Sequence, residues 1–196
     1  MAAPPGRHFG RTGSMAPKRT SGESLVGMVT FTGVSQDYSP FDTMDAGYDD
    51  LSTAIDGLDS CGNYGMPACS GTHVGAGMER AMEMFTAVDD ADPDRKDGSV
   101  RAMVILGDGA PNASGPNSHL TNQDLINHAN GVADKAEDSD ISIYTIFYDE
   151  KNDDAGATFF EDLVRGEGEA LRTPDSADLP ELFASLCAKL PLRLVQ

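Results

Sequence analysis

The sequence predicts an α/β fold, a doubly wound, Rossmann-like and mostly parallel sheet flanked by helices. Three observations carry that expectation. The runs "LVGMVTF" (25–31), "VRAMVIL" (100–106) and "ISIYTIF" (141–147) are apolar on both alternating faces, which suits strands covered on both sides. Between them the apolar period changes to that of helices, and strands alternating with amphipathic helices favour right-handed crossovers. The length, 196 residues, fits one domain of ordinary size preceded by a short irregular segment, with boundaries at 1–24 and 25–196.

The helices follow in order. Leu51, Ala54, Ile55 and Leu58 repeat at i, i+3, i+4 and i+7, and Val74, Met78, Ala81, Met82 and Phe85 form a second stripe. Leu125, Ile126, Ala129, Val132, Ala133 and Ala136 make a third, opened by Thr121 with Asp124 three residues on, a variant of the capping box. The last runs through Leu179, Leu182, Phe183, Leu186, Cys187 and Leu190, with Asp178 as the expected N-cap and Pro180 and Glu181 in the first turn. Cys187 lies on that apolar stripe and is expected to be buried.

Charge narrows the partners. The net charge is −18, and the first nineteen residues contain Arg7, Arg11, Lys18 and Arg19 with no acid. The remainder, with ten basic against 32 acidic residues, carries −22. Such a surface repels nucleic acid and anionic membranes and attracts cations. No run approaches the roughly 18 apolar residues of a membrane span, and "MAAPPGRHFGRTGSMAPKRT" lacks the apolar centre of a signal peptide. Cys61 and Cys69 bracket "CGNYGMPAC", whose Gly and Pro let the chain turn back, so a local disulfide is expected. Two unpaired thiols, or half of a metal site lacking its other ligands, are the alternatives.

The strand at 100–106 ends in "GDGAPN", which puts Asp108 in a loop beyond the carboxyl end of a strand, where sites form in this architecture. Gly107 and Gly109 are expected to permit a tight exit. In "CSGTHVGAGMERAMEMF", Thr72 stands just before a helix and brings a hydroxyl toward the same end of the sheet. A hydroxyl and a carboxylate are oxygen ligands suited to Mg²⁺ or Ca²⁺. The bland reading is that Thr72 caps its helix and Asp108 organises its own turn. Neither "DDADPDRKDG" (89–98) nor "NAS" (112–114) adds a site. In the first, Arg95 and Arg101 replace the Gly and Glu of a calcium loop, which leaves a solvated turn; the second is a glycosylation tripeptide common by chance.

From about Leu25 to Leu194 the chain resembles a von Willebrand factor A domain. "VGMVTF" resembles its second strand, "SGTHVGAGMERAMEMF" the Thr loop and following helix, "AMVILGDGAPN" the fourth strand with its Asp-Gly turn, and "ISIYTIFYDE" the fifth. The ending, with "FFEDL", "LPELFASLC" and "LRLVQ", and the cysteine-bearing loop before Gly71-Thr72 are similar to the TadG-like pilus-assembly proteins of bacteria. The resemblance implies a metal-ion-dependent adhesion site holding Mg²⁺ or Ca²⁺, with Thr72 and Asp108 matching two of its motifs. It also implies a cell-envelope location and a protein partner whose acidic side chain completes the cation's coordination.

The chain departs from that family at its start. "GRTGSM" (10–15) is similar to the family's D-x-S/T-G-S-M, with Thr12 and Ser14 in place and Gly10 where the Asp belongs. No apolar strand precedes it, and "APKRTSGES" is too short for the usual helix. The first central strand of the sheet is therefore expected to be missing, leaving the strands at 25–31 and 100–106 with unpaired backbone edges. A chain of marginal stability, an oligomer, or completion by another segment follows. The alternatives to an envelope binding module are an intracellular companion subunit of a nucleotide-driven machine and a truncated domain without metal-dependent function. Catalysis is not expected: His73, Ser70 and Asp108 form a hydrolytic set only on paper, with no nucleophile elbow and no phosphate-binding loop. His73 is expected in an exposed loop or beside a helix start, and His119 and His128 on or near the helix that begins after Thr121, with no partner the sequence names.

Overall fold

The computed structural model describes residues 25–31, 71–91, 93, 99–113 and 119–189. Its elements are α1 (Val74–Ala91), β1 (Arg101–Gly107), α2 (Asn122–Asp138), β2 (Ile141–Tyr148), α3 (Asp154–Asp162), β3 (Ala170–Thr173), a 3₁₀ turn (Ser176–Asp178) and α4 (Leu179–Lys189). The three strands form one sheet in the order β1-β2-β3. Both pairings are parallel, with Met103 opposite Ile143 and Thr145 opposite Ala170. The predicted α/β architecture with a parallel sheet flanked by helices is thus present, and it is compatible with a Rossmann-like fold.

Alternation along the strands separates two cores. Met103 and Ile105 of β1 and Ile141, Ile143 and Phe147 of β2 face α1, α2 and α3, which contribute Val74, Met78, Ala129, Val132, Ala133, Ala136, Phe159 and Phe160. Tyr144 and Ile146 point the other way and meet Leu186 of α4, with Leu179 and Leu182 beside them. Small residues on α2 let that helix lie close to the sheet, and Phe160 stacks on Phe147 at 5.3 Å between ring centres. At the amino end of the sheet, Arg101 is buried yet satisfied. It donates to Asp89 at 2.9 Å and to the Ser139 carbonyl at 2.9 Å, and its guanidinium lies 5.2 Å from the centre of the Phe85 ring.

Helix starts follow their chemistry. Thr121 is the N-cap of α2: its hydroxyl accepts from the Asp124 amide at 3.1 Å, while the Asp124 carboxylate accepts from the Thr121 amide at 2.8 Å. The Thr121 amide and then its hydroxyl hold the Asp124 pKa below the ordinary carboxylate value. Asp178 does not cap the last helix as expected. It belongs to the 3₁₀ turn that feeds α4, its carboxylate accepts from the Thr173 hydroxyl at 3.0 Å, and that turn is itself capped by Asp175, which accepts from the Ala177 amide at 2.9 Å. Cys187 is exposed rather than buried. The sheet-facing line of α4 is Leu179, Leu182 and Leu186, and Cys187 falls one step round the helix from it.

The first predicted strand also differs. Among residues 25–31 only Val26 makes a bridge contact, and the rest is irregular and partly buried, with Phe31 packed against the main core beside Gly77. A strand requires a neighbour to complete its ladder, and among the described residues none runs beside this segment. Among the described residues β2 is the one neighbour of β1, and on the α4 side of the sheet Ala102 joins the second core while Val104 and Leu106 are 38% and 42% exposed. The helical stripe at 51–58 and the turn at 94–98 lie outside the described residues.

The cap at Thr121 is testable because it is local and exposed. Thr121→Ala removes the hydroxyl half of the box, leaves the backbone amide of residue 121 to donate to Asp124, and is expected to cost about 1 kcal/mol of stability, read as a lower urea midpoint with an unchanged slope.

Candidate functional site at the carboxyl end of the sheet

The segment before α1 and the loop after β1 are joined by backbone pairing. The Thr72 amide donates to the Asn112 carbonyl at 3.2 Å, and the Asn112 amide donates back to the Thr72 carbonyl at 3.3 Å, an antiparallel bridge. The Asn112 side-chain amide also donates to the Thr72 hydroxyl at 3.3 Å. Gly71, at φ 101°, supplies the left-handed turn that brings Thr72 into this register. Thr72 therefore does not cap α1 through a described contact; its hydroxyl is engaged by the other loop. Asp108, the first residue after β1, lies exposed in the same loop as Asn112.

The glycines around Asp108 act differently from the expected tight exit. Neither adopts positive φ. A Cβ on Gly107 would lie 2.4 Å from Phe160 Cζ, so this position is small because an aromatic ring of α3 crosses the end of β1. A Cβ on Gly109 would meet nothing within 4 Å.

Of the expected site residues, Thr72 and Asp108 therefore sit on two joined loops at one edge. Thr12, Ser14, Cys61 and Cys69 lie outside the described residues. Among the described residues no group of three His, Cys, Asp or Glu side chains is arranged to hold a metal ion. A cation at this edge would rest on the Thr72 hydroxyl and the Asp108 carboxylate, both oxygen donors, with further ligands from elsewhere.

Two polar groupings at or near this edge were not read from sequence. At the end of β2, Asp149 is 3% exposed. Its carboxylate accepts from the Asp153 amide at 2.6 Å and from Arg172 Nε at 2.7 Å, and Arg172 also lies 3.5 Å from Asp154. Burial opposes the charged carboxylate, but the amides of Asp153 and Asn152 and the Arg172 guanidinium together outweigh it and hold the Asp149 pKa below its ordinary value. The only signal was positional: Asp149 follows its strand at the same offset from the apolar run as Asp108 follows β1. This pair fixes the loop between β2 and α3 rather than presenting a free acid. A small, partly open pocket beside it is lined by Phe147, Ala157, Phe160 and Arg172.

The second grouping joins α1 to α2. His73 is 7% exposed: of its two expected places, an exposed loop or beside a helix start, it takes the second, directly before α1. There, packing between α1 and α2 encloses it. Its Nε2 is 3.2 Å from Nδ1 of His128, and Nε2 of His128 is 3.1 Å from the Glu79 carboxylate. Because a carboxylate only accepts, His128 carries its proton on Nε2 when neutral, its Nδ1 accepts from His73 Nε2, and His73 Nδ1 is left unprotonated. That nitrogen is buried without a partner. Burial chiefly, and then the charge that His128 acquires on protonation, lower the His73 pKa against the opposing pull of Glu79.

No protein-family model and no curated protein sequence matches the chain. Among the described residues no helix is long and apolar enough to cross a membrane.

The lowered His73 pKa has a definite sign. The folded state favours the neutral ring, so its contribution is fully present above the unfolded value near 6.5 and is lost as pH falls below it toward the folded pKa. Urea midpoints are expected to fall between pH 7.5 and pH 5, and His73→Gln to flatten that part of the profile.

Proposed function

We propose that the chain is a non-enzymatic binding module that recognises a protein partner through the carboxyl edge of its sheet, with a Mg²⁺ or Ca²⁺ ion between them. The two-way Thr72–Asn112 bridge carries this reading, because it holds the loops of Thr72 and Asp108 together as one surface. Thr72 and Asp108 offer only one hydroxyl and one carboxylate, so the ion is weakly held until an acidic side chain of the partner completes its shell. The charge of −18 concentrates divalent cations at the surface and disfavours nucleic acid. Resemblance to von Willebrand A domains, and to TadG-like pilus-assembly proteins in particular, extends the proposal to an assembly or adhesion role at the bacterial cell envelope. Thr12 and Ser14 are additional ligands in this reading, and Cys61 and Cys69 a disulfide near it.

That β2 is the one neighbour of β1 among the described residues agrees with a further part of the proposal, that the domain is completed by another segment or by oligomerisation. Val104 and Leu106, part-exposed on one face of β1, are apolar surface that a covering element would remove from water.

Isothermal titration of Mg²⁺ tests the site. Wild type is expected to bind with a Kd on the order of 10⁻⁴ to 10⁻³ M, and Asp108→Ala to abolish the heat. Indistinguishable curves reject it.

A further inference from the structure

The geometry points to a second cation site, independent of the oxygen-ligand edge, in which His73 Nε2 and His128 Nδ1 chelate a borderline transition-metal ion such as Zn²⁺ or Cu²⁺. Two imidazoles bound to one tetrahedral ion at about 2.0–2.1 Å have donor nitrogens roughly 3.3 Å apart and ring centres roughly 5.2 Å apart. The two nitrogens here are 3.2 Å apart and the ring centres 5.2 Å apart, with ring planes inclined at 36°. An in-line N–H···N bond of the same length would separate the centres by about 5.5 Å. The pair is therefore bent to the extent that chelation requires.

The surroundings agree with that use. Metal-binding histidines commonly donate their other ring N–H to a carboxylate, which fixes the ring and its tautomer; His128 does so to Glu79 at 3.1 Å. His128 keeps the same tautomer with or without the ion. His73 exchanges its proton from Nε2 to Nδ1, the buried nitrogen that has no partner, so both donor lone pairs become available without loss of a proton. His73 is more than nine-tenths buried and screens one side of the ion, while the His128 side chain, one-third exposed, opens the other side to water ligands. Nitrogen donors select Zn²⁺, Cu²⁺ or Ni²⁺ over Mg²⁺ and Ca²⁺, so this site and the Asp108 edge take different ions. Binding would clamp α1 to α2 directly behind Thr72.

Titration of the full chain with ZnCl₂ and CuCl₂ at neutral pH tests the proposal. Wild type is expected to lose one equivalent of Zn²⁺ binding in either His73→Gln or His128→Gln. Cu²⁺ is expected to bind more tightly than Zn²⁺, Glu79→Gln to weaken binding about tenfold or more, and His119→Gln to change nothing. His128→Gln alters a partly exposed side chain, and an unchanged far-UV dichroism spectrum shows that the variant folds. The proposal is overturned if wild type takes up no Zn²⁺, if folded His128→Gln binds as wild type does, or if millimolar Mg²⁺ displaces the ion. Retention of Zn²⁺ binding in Asp108→Ala separates this site from the proposed partner-binding edge.

Discussion

Burial of β2 on both faces is the constraint on which the rest of the described structure depends. Ile141, Ile143 and Phe147 pack under α2 and α3, while Tyr144 and Ile146 pack under α4. Its backbone groups are then cut off from water and are paired on both sides, with β1 along one edge and β3 along the other. Thr145, buried within this strand, is accommodated because its hydroxyl donates to the Phe160 carbonyl of α3 at 3.0 Å. The parallel register set by β2 brings the ends of all three strands to one edge. Asp108, Asp149 and Thr173 stand there because their strands end together.

That edge is polar for two separable reasons. Asp149 is consumed by the fold: its carboxylate is saturated by backbone amides and Arg172, a geometry that stabilises a loop and leaves no valence for a ligand. Asp108 is spent on nothing of that kind and is exposed on a loop whose other end is tied to Thr72. A carboxylate held on a fixed loop and left open to solvent is available for binding in a way that a saturated one is not. The histidine pair behind Thr72 is a third case, one ring buried and the other part-exposed, with one buried nitrogen unsatisfied.

Much of the fold was legible because it rests on periodicity. The double-sided apolar runs at 100–106 and 141–147 became parallel neighbours, and the Thr121–Asp124 spacing became a complete capping box. The run at 25–31 has the same composition but is irregular apart from a bridge at Val26, and among the described residues no ladder runs beside it. Cys187 and Asp178 show the limit of one-dimensional patterns in another way: which line of a helix meets the sheet, and whether a 3₁₀ turn precedes it, depend on how α4 docks. At the site, Asp108 and Thr72 were visible as residues at strand and helix ends. The Glu79–His128–His73 chain was not, because its members come from two helices and 55 residues separate the two histidines. No local spacing encodes such a contact.

The central claim is that the loops of Thr72 and Asp108 form one cation-responsive surface. The most direct measurement is a two-dimensional ¹H–¹⁵N correlation spectrum recorded during Mg²⁺ addition. The amides of Thr72 and of residues 108–112 are expected to shift together along a single saturable curve, with β3 and α4 unmoved. Shifts spread evenly over the acidic surface, or a loop at 108–112 that responds while Thr72 does not, would contradict it.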